Sequence, residues 1–335
     1  MFNPVSITLG KVNASKKKLN ILGHPTHEGF ETLLDKTGHN FFMLTGEGIK
    51  PWDFHTKPLP PNHYLLQKPQ PMPNGTEIDL LLAQERNGGL QRMLELKQRS
   101  YIPVLEITHT MPPPGINDKL LNKISEIKPD KRVFITEFSK NAWGGSDKDR
   151  VIYHGLDPNE FTGWSGLSFN NGIMVCNHLQ SRDVFCGWTE FQEVAREVPI
   201  MLVGENPGIS KSAESTADLI KKLANSRYYL NTSKWSPIPL SLVEAAMIGL
   251  PIITTSHQEI AKFFVHEENC LIANTAEEMI KAARRLMVDD SLCERLGSAA
   301  RQMALQHFHI DRFIKEWNEV ILETYEQGKK AYGHN

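Results

Sequence analysis

The sequence predicts an α/β protein of two units, each a parallel sheet wrapped by helices, with a ligand cleft between them. Three observations carry this. Short apolar runs alternate with amphipathic stretches from residue 19 to the end, which is the rhythm of βαβ units. The chain has 335 residues, and at roughly 100–200 residues per domain that length suits two. A Gly-, Ser- and Asn-rich segment, FTGWSGLSFNNG from Phe161 to Gly172, divides the alternation into near-equal halves. The expected boundaries are a first unit over 1–165, a second over 166–310 and a closing helix over 311–335.

In the first half the strand candidates are Leu19–Leu22, Phe41–Leu44, Ile78–Leu82, Val104–Thr108, Val133–Thr136 and Val151–Tyr153. Each is a short, mostly apolar run, suited to a buried strand and too brief for a helix. Gly89–Gln98 and Asn117–Ile127 read as helices. Between Gly46 and Gly75 the chain is too rich in proline for a helix, since proline removes a donor and clashes with the preceding turn. That segment is expected to wrap the surface, with a short strand around Tyr64–Leu66.

The second half repeats the pattern. Ile173–Val175, Ile200–Val203, Tyr228–Leu230 and Ile252–Thr254 read as strands. Trp188–Arg196, Thr216–Leu223 and Leu240–Ile248 read as helices between them, and Ala276–Val288, Ser291–Gln306 and Asp311–Glu326 as helices that close the chain. Ligands of open parallel sheets bind beyond the carboxyl ends of the strands, so two such sheets facing each other share one crevice. Periodicity alone does not name the ligand.

Composition narrows the partners. Lys and Arg total 37 against 39 Asp and Glu, for a net charge of −2, so no bulk positive field advertises a polyanion. A DNA acceptor is not favoured for the same reason, because phosphate contacts dominate such affinity. The one basic run, Lys16–Lys18, is too short to change this. Cys176, Cys186, Cys270 and Cys293 form no C-x-x-C pair or zinc spacing, and free thiols in a reducing compartment are expected. No stretch approaches the roughly 20 apolar residues of a membrane span, and no apolar signal core opens the chain. The expectation is a cytoplasmic protein with no transmembrane contact, which leaves peripheral membrane contact open.

The most informative stretch is SPIPLSLVEAAMIGLPIITT, Ser236 to Thr255. A helix from about Leu240 carries Glu244, ends at Gly249 and turns at Pro251 into a buried strand. An acid in the first turns of a helix is favoured by the dipole; simple helix capping is the structural alternative. Facing a cleft, such a carboxylate accepts hydrogen bonds from sugar hydroxyls.

This segment resembles the retaining GT-B glycosyltransferases, specifically glycosyltransferase family 4. That family carries a Glu, seven residues, and a second Glu followed by Ala-Met/Ala-x-Gly-x-Pro-Val-Ile; Glu244 with AAMIGLPII is similar to the second half. The resemblance implies a GT-B fold of two Rossmann-like domains, with the last helix returning to the first domain. It implies that Glu244 holds the donor nucleotide's ribose. The first Glu, which contacts the donor sugar, falls at Ser236, a neutral hydroxyl. VIYHGLDPNEF, Val151 to Phe161, and VFITEFSKNAW extend the likeness upstream.

The same resemblance supplies the remaining candidates. His109, closing VLEITH ahead of MPPPG, takes the place of a histidine near the donor sugar and is the candidate catalytic residue. Gly29 sits where the family has a glycine-containing loop before its first helix, where backbone N–H groups approach an anion. The family's diphosphate-binding Arg and Lys fall at Asn177 and Arg182, so one basic residue is kept. Gly204, in MLVGENPGIS, resembles a strand end beside the nucleobase. The donor is a nucleotide-diphosphate sugar acting as substrate; no cofactor and no metal are expected. The acceptor is unassigned among glycans, glycolipids and modified nucleic acid.

Other readings rank lower. His24 and His27 with Glu28 suggest a metal site, but Pro25 between them breaks the helix that would align the imidazoles. The Asp79 strand has no Asp-x-Asp pair, and the first strand is not followed by G-x-G-x-x-G, which leaves a nicotinamide enzyme unsupported. A sugar-nucleotide epimerase or phosphorylase on the same architecture, an inactive nucleotide-sugar-binding protein, and a nucleotide-binding α/β protein of another class remain as alternatives.

Overall fold

The computed structural model describes residues 17–54, 57–67, 75–84 and 88–333, which leaves Lys16 of the basic run outside. The first sheet contains β1 (Asn20–Gly23), β2 (Asn40–Thr45), β3 (His63–Gln67), β4 (Leu80–Ala83), β5 (Val104–Thr108), β6 (Lys131–Phe134) and β7 (Arg150–Val151). Their order is β3-β2-β1-β4-β5-β6-β7, and every pair is parallel. The order reverses between β1 and β4, which opens a crevice at their carboxyl ends. The helices packed on this sheet include α1 (Glu28–Asp35), α2 (Gly89–Ser100), α3 (Asp118–Ser125) and α4 (Glu137–Ala142).

The second sheet contains β8 (Gly172–Val175), β9 (Ile200–Val203), β10 (Tyr228–Asn231), β11 (Ile252–Thr254) and β12 (Leu271–Ile272). Its order is β12-β11-β10-β8-β9, again all parallel, and the reversal falls between β8 and β10. Around it run α5 (Asp183–Cys186), α6 (Trp188–Glu197), α7 (Thr216–Ala224), α8 (Leu240–Ile248), α9 (Ile260–Phe263), α10 (Ala276–Val288) and α11 (Asp290–His307).

Helix α8 is the hub of this unit. Leu242, Val243, Ala245, Ala246, Met247 and Ile248 are all buried, so the helix is apolar nearly all round, as a central helix must be. It ends where Gly249 takes φ +86, a left-handed cap that costs glycine nothing. Gly297 of α11 lies against this turn: a Cβ there would fall 2.1 Å from the Gly249 carbonyl oxygen. The missing side chain lets α11 close over α8.

The last helix, α12 (Ile310–Tyr332), leaves the second unit and packs on the first. Phe313 and Trp317 set their rings 5.7 and 5.9 Å from Phe30 of α1. Gly328 gives way to Pro103, and Lys131 pairs with Glu323 at 2.9 Å. The fold class is therefore the expected one: two parallel-sheet units flanking a cleft, with the terminal helix folded back.

Two local details differ from the sequence reading. β6 begins at Lys131 rather than Val133, because Arg132 is buried in an ion pair with Glu106 of β5 at 2.8 Å and so occupies a core position that polarity disguises. The segment from Phe161 to Gly172 is also less free than its composition suggests. Trp164 donates its backbone N–H to Ile248 and its indole N–H to the Ser226 carbonyl, and Ser165 N–H bonds to Ala224. From Trp164 onward the segment belongs to the second unit's surface.

Candidate functional site

The first sheet brings three loops to its carboxyl edge. The β1–α1 loop ends at His27, whose extended backbone and ring Nδ1 cap α1 by accepting the Phe30 N–H at 3.2 Å. A buried carboxyl, Glu31, accepts the Thr26 and His27 N–H groups at 2.7 and 3.4 Å and holds the loop from behind. Burial pushes Glu31 up to about 8 against the pull of those bonds. His63 lies beside it, 3.7 Å away, and reaches Asp35 at 3.1 Å.

His109 stands just past β5, half-buried. Its ring stacks at 6.1 Å on His27 and meets the edge of Phe30 at 4.6 Å. Nε2 lies 3.3 Å from Oε1 of the buried Gln84, and in the tautomer protonated at Nε2 it donates to that oxygen. Nδ1 is then left as an acceptor. Burial, reinforced by His27 and His154, holds the imidazole well below its usual pKa, so it is neutral at physiological pH. His154, at the end of the β7 strand segment, is buried and held down to about 3 for the same reason.

The second sheet answers from across the cleft. Glu244 is half-buried on α8, and its carboxylate accepts no hydrogen bond among the described residues. Burial raises its pKa, while Lys57 pulls it back down. Lys57 belongs to the proline-rich segment of the first unit, so opposite halves supply the acid and the cation. The start of α8 touches the first unit directly: a Cβ on Gly29 would lie 3.6 Å from Leu240 Cδ2. Pro239 caps α8 without a side-chain bond, which leaves the first N–H groups of the helix open toward the cleft.

Arg182 lies in a short turn after β8, exposed, with Nη1 3.4 Å from the Asn177 carbonyl. Burial holds His27 below its usual pKa, and the Arg182 charge across from it adds a smaller push in the same direction. Asn177, where the resemblance calls for a base, spends its amide oxygen on the Glu205 N–H at 2.8 Å. Ser236 turns its hydroxyl onto the Pro237 carbonyl at 2.8 Å.

Two sequence expectations are corrected in detail. Gly29 is the second residue of α1 rather than part of a loop ahead of it, because His27 already caps the helix. Gly204 is buried in the cleft wall at φ +136, where a Cβ would fall 2.2 Å from the Cys176 carbonyl oxygen and 2.9 Å from the Asn177 amide oxygen. The missing side chain shapes the β8–β9 rim. Sequence reasoning also missed His27 outside the metal question, Gln84, Lys57 and Trp235. The Trp235 indole donates to the Pro112 carbonyl at 2.7 Å and ties the loop after His109 to the second unit. The Lys57 and Trp235 interactions cross between halves and those of His27 and Gln84 join distant segments of the first, which no local spacing signals. Among the described residues no group of three or more His, Cys, Asp or Glu is placed to hold a metal ion.

Comparison with known proteins agrees with this architecture. The family model described as "Glycosyl transferase-like" matches residues 189–319, from α6 into α12. An uncharacterized glycosyltransferase of Haemophilus influenzae is 25% identical over 216 residues, covering 57% of this chain. The match spans 61% of that relative's length. Among solved structures, Anabaena HepE in complex with UDP and glucose superposes with a TM-score of 0.71 at 15% identity, covering 91% of this chain and 99% of that one. Sucrose-phosphate synthase from Thermosynechococcus elongatus gives 0.71 at 14% identity over 93% and 100%. A glycosyltransferase from Rickettsia africae gives 0.61 at 14% over 94% and 99%. The fold is that of the GT-B glycosyltransferases.

Proposed function

We propose that this chain is a glycosyltransferase that moves a sugar, a hexose or pentose, from a nucleotide-diphosphate donor to an acceptor. The donor lies on the second unit's rim and the acceptor on the first unit's rim. The observation that carries this is the convergence on one cleft of Glu244, Arg182 and the open start of α8 from one side with His109 and His27 from the other. The family model and the HepE structure, which holds UDP and glucose, support a nucleotide-sugar donor.

In this proposal Glu244 accepts hydrogen bonds from the ribose hydroxyls, and a desolvated carboxylate makes such bonds stronger than neutral ones. Arg182 and the N–H groups at the start of α8 face the diphosphate, where a cation and a helix dipole favour negative charge. His109, neutral and with Nδ1 free to accept, orients a donor sugar hydroxyl. The bond from the anomeric carbon to the phosphate oxygen breaks, and the nucleoside diphosphate leaves with the electron pair. The acceptor oxygen forms the new bond and its proton passes to the departing phosphate. The cleft stabilises the charge on that leaving group, which is the electrostatic part of catalysis. Following the family resemblance, the anomeric configuration is retained, no metal takes part, and the enzyme works in the cytoplasm. Among the described residues no helix is long and apolar enough to cross a membrane.

A second reading, a nucleotide-sugar-binding protein without turnover, draws on two observations. Ser236 and Asn177, at the places of an acid and a base, both spend their side chains on local backbone. Incubation with a nucleotide-sugar panel separates the readings. Release of nucleoside diphosphate from one donor, faster with an acceptor present, supports transfer. Saturable binding without release supports the second reading.

A further inference from the structure

A second cavity, of about 340 Å³, opens on the first unit beside the His27–His109 cluster. The β1–α1 loop, the turn after β2 and the start of α2 enclose it, through His24, Thr26, Gly48, Lys50, Gly88 and Arg92. Its wall is chemically one-sided. Arg92 reaches only the Gly48 carbonyl, at a long 3.4 Å, and among the described residues no carboxylate pairs with it. Lys50 contributes a second cation, already balanced by Glu28 at 2.8 Å to both oxygens.

Helix α2, 12 residues long, begins at this wall with Gly88 at φ +97 and no side-chain cap. The N–H groups of Gly89, Leu90 and Gln91 therefore lack intrahelical partners, and the positive end of the dipole faces the cavity. Added Cβ atoms at Gly48 and Gly88 would meet nothing within 4 Å, so the backbone is bare there. The second, independent feature is His24. It is 3% exposed, and among the described residues neither ring nitrogen has a hydrogen-bond partner. A buried imidazole with both nitrogens unsatisfied is destabilising, and it marks a place where a polar ligand completes the structure.

We infer that this cavity binds an anionic oxygen group, a phosphate or carboxylate carried by the acceptor. The inference rests on the glycosyltransferase reading only for the word acceptor. The anion's oxygens would accept from the α2 N–H groups, from Arg92 and from a ring nitrogen of His24. Because the cavity opens three residues before His27, an acceptor anchored there by its charged end presents a hydroxyl toward His109.

The test is an NMR titration of the full chain with inorganic phosphate at pH 7, with UDP saturating so that the donor's phosphate site is filled. The signal is the His24 Cε1–H resonance, assigned by its loss in His24→Gln. The expected result is a saturable shift, with the His24 titration moving from about 4 toward its ordinary 6.5, and at least tenfold weaker phosphate binding in Arg92→Met with UDP affinity unchanged. A flat His24 signal, or phosphate binding unaltered by Arg92→Met, overturns the site. In a second arm, phosphorylated and carboxylated monosaccharides are compared with their neutral parents as acceptors, and at least a tenfold preference in kcat/KM that Arg92→Met abolishes is expected. Phosphate binding at His24 without that preference overturns the acceptor assignment. The titration does not depend on turnover, so a protein that consumes no donor yet shows the His24 shift contradicts the transferase reading and leaves the anion site standing.

Discussion

Above β8 and β10, the candidate groups are an acid and a base, the acid on a helix that is otherwise largely buried and the base on an exposed turn. Glu244 is a half-exposed acid on a helix whose other faces are core, and Arg182 rises from a turn fixed by Asn177 and Gly204. Above β1, β4 and β5, the groups are imidazoles, and burial keeps them neutral: His109, His154 and His24 all titrate below the ordinary histidine value. In the proposed transferase, the contrast lets one cleft handle two substrates. A nucleoside diphosphate carries fixed charge and a ribose diol, which a rigid rim with one anion and one cation can meet. A sugar in flight between them needs oriented hydrogen bonds that do not add net charge. Neutral imidazoles, with His109 positioned against Gln84, provide those.

Four experiments break or sharpen that contrast, and the largest effect belongs to the charged rim. Glu244→Ala removes a carboxylate expected to hold two hydroxyls. At about 1.5–3 kcal/mol for each hydrogen bond to a charged group, donor kcat/KM should fall on the order of 10²–10⁴-fold. Steady-state kinetics on the consumed donor measures it, and unchanged kinetics would place the ribose elsewhere. His109→Ala comes next, with a loss of about 100-fold in kcat, at the low end for a positioned histidine. Calorimetry should find nucleoside diphosphate affinity almost untouched; a large loss of affinity instead would move His109 to the donor rim. Arg182→Ala should weaken nucleoside diphosphate binding by roughly tenfold, as for one charge-assisted contact. An effect on kcat alone would argue that Arg182 does not face the ground-state diphosphate.

The smallest effect is on stability, and it separates the two rims by pH. His154 and His24 take up protons in the unfolded chain near 6.5 but in the folded chain only near about 3 and about 4. Below about pH 6.5 the unfolded state therefore binds more protons, and these residues cost stability as the pH falls. Glu31 acts in the opposite sense: folded, it keeps its proton up to about 8, so its share of stability is lost as pH rises from about 4.5 toward 8. His154→Gln should shrink the drop in Tm between pH 7 and pH 5, by about 2–4 °C for each kcal/mol recovered. An identical Tm difference in the variant would mean that His154 is not buried neutral.

How much of this the residues announced differs between the same two regions. The charged rim was legible because its signals are local. Glu244, the Gly249 cap and Pro251 lie within one helix and turn, and the buried α8 shows as an unbroken apolar run. The histidine rim was only partly legible. His109 stood out by ending a strand, but Gln84 and His27 meet it from segments 25 and 82 residues away, and no periodicity records that. Glycines misled in both regions, because permissiveness alone does not say why it is needed. Gly29 lies inside α1, and Gly204 spares a collision with the Cys176 carbonyl. Arg132 shifted a strand boundary for a related reason: a charge buried against Glu106 looks like surface until its partner is known.

The most direct measurement is release of nucleoside diphosphate from a panel of UDP-, GDP-, ADP- and CDP-sugars by the full chain, followed by NMR of the anomeric proton. The expected result is consumption of one donor, with the donor's anomeric configuration kept in the product. A chain that neither binds nor consumes any donor of the panel would contradict a sugar transferase built on this cleft.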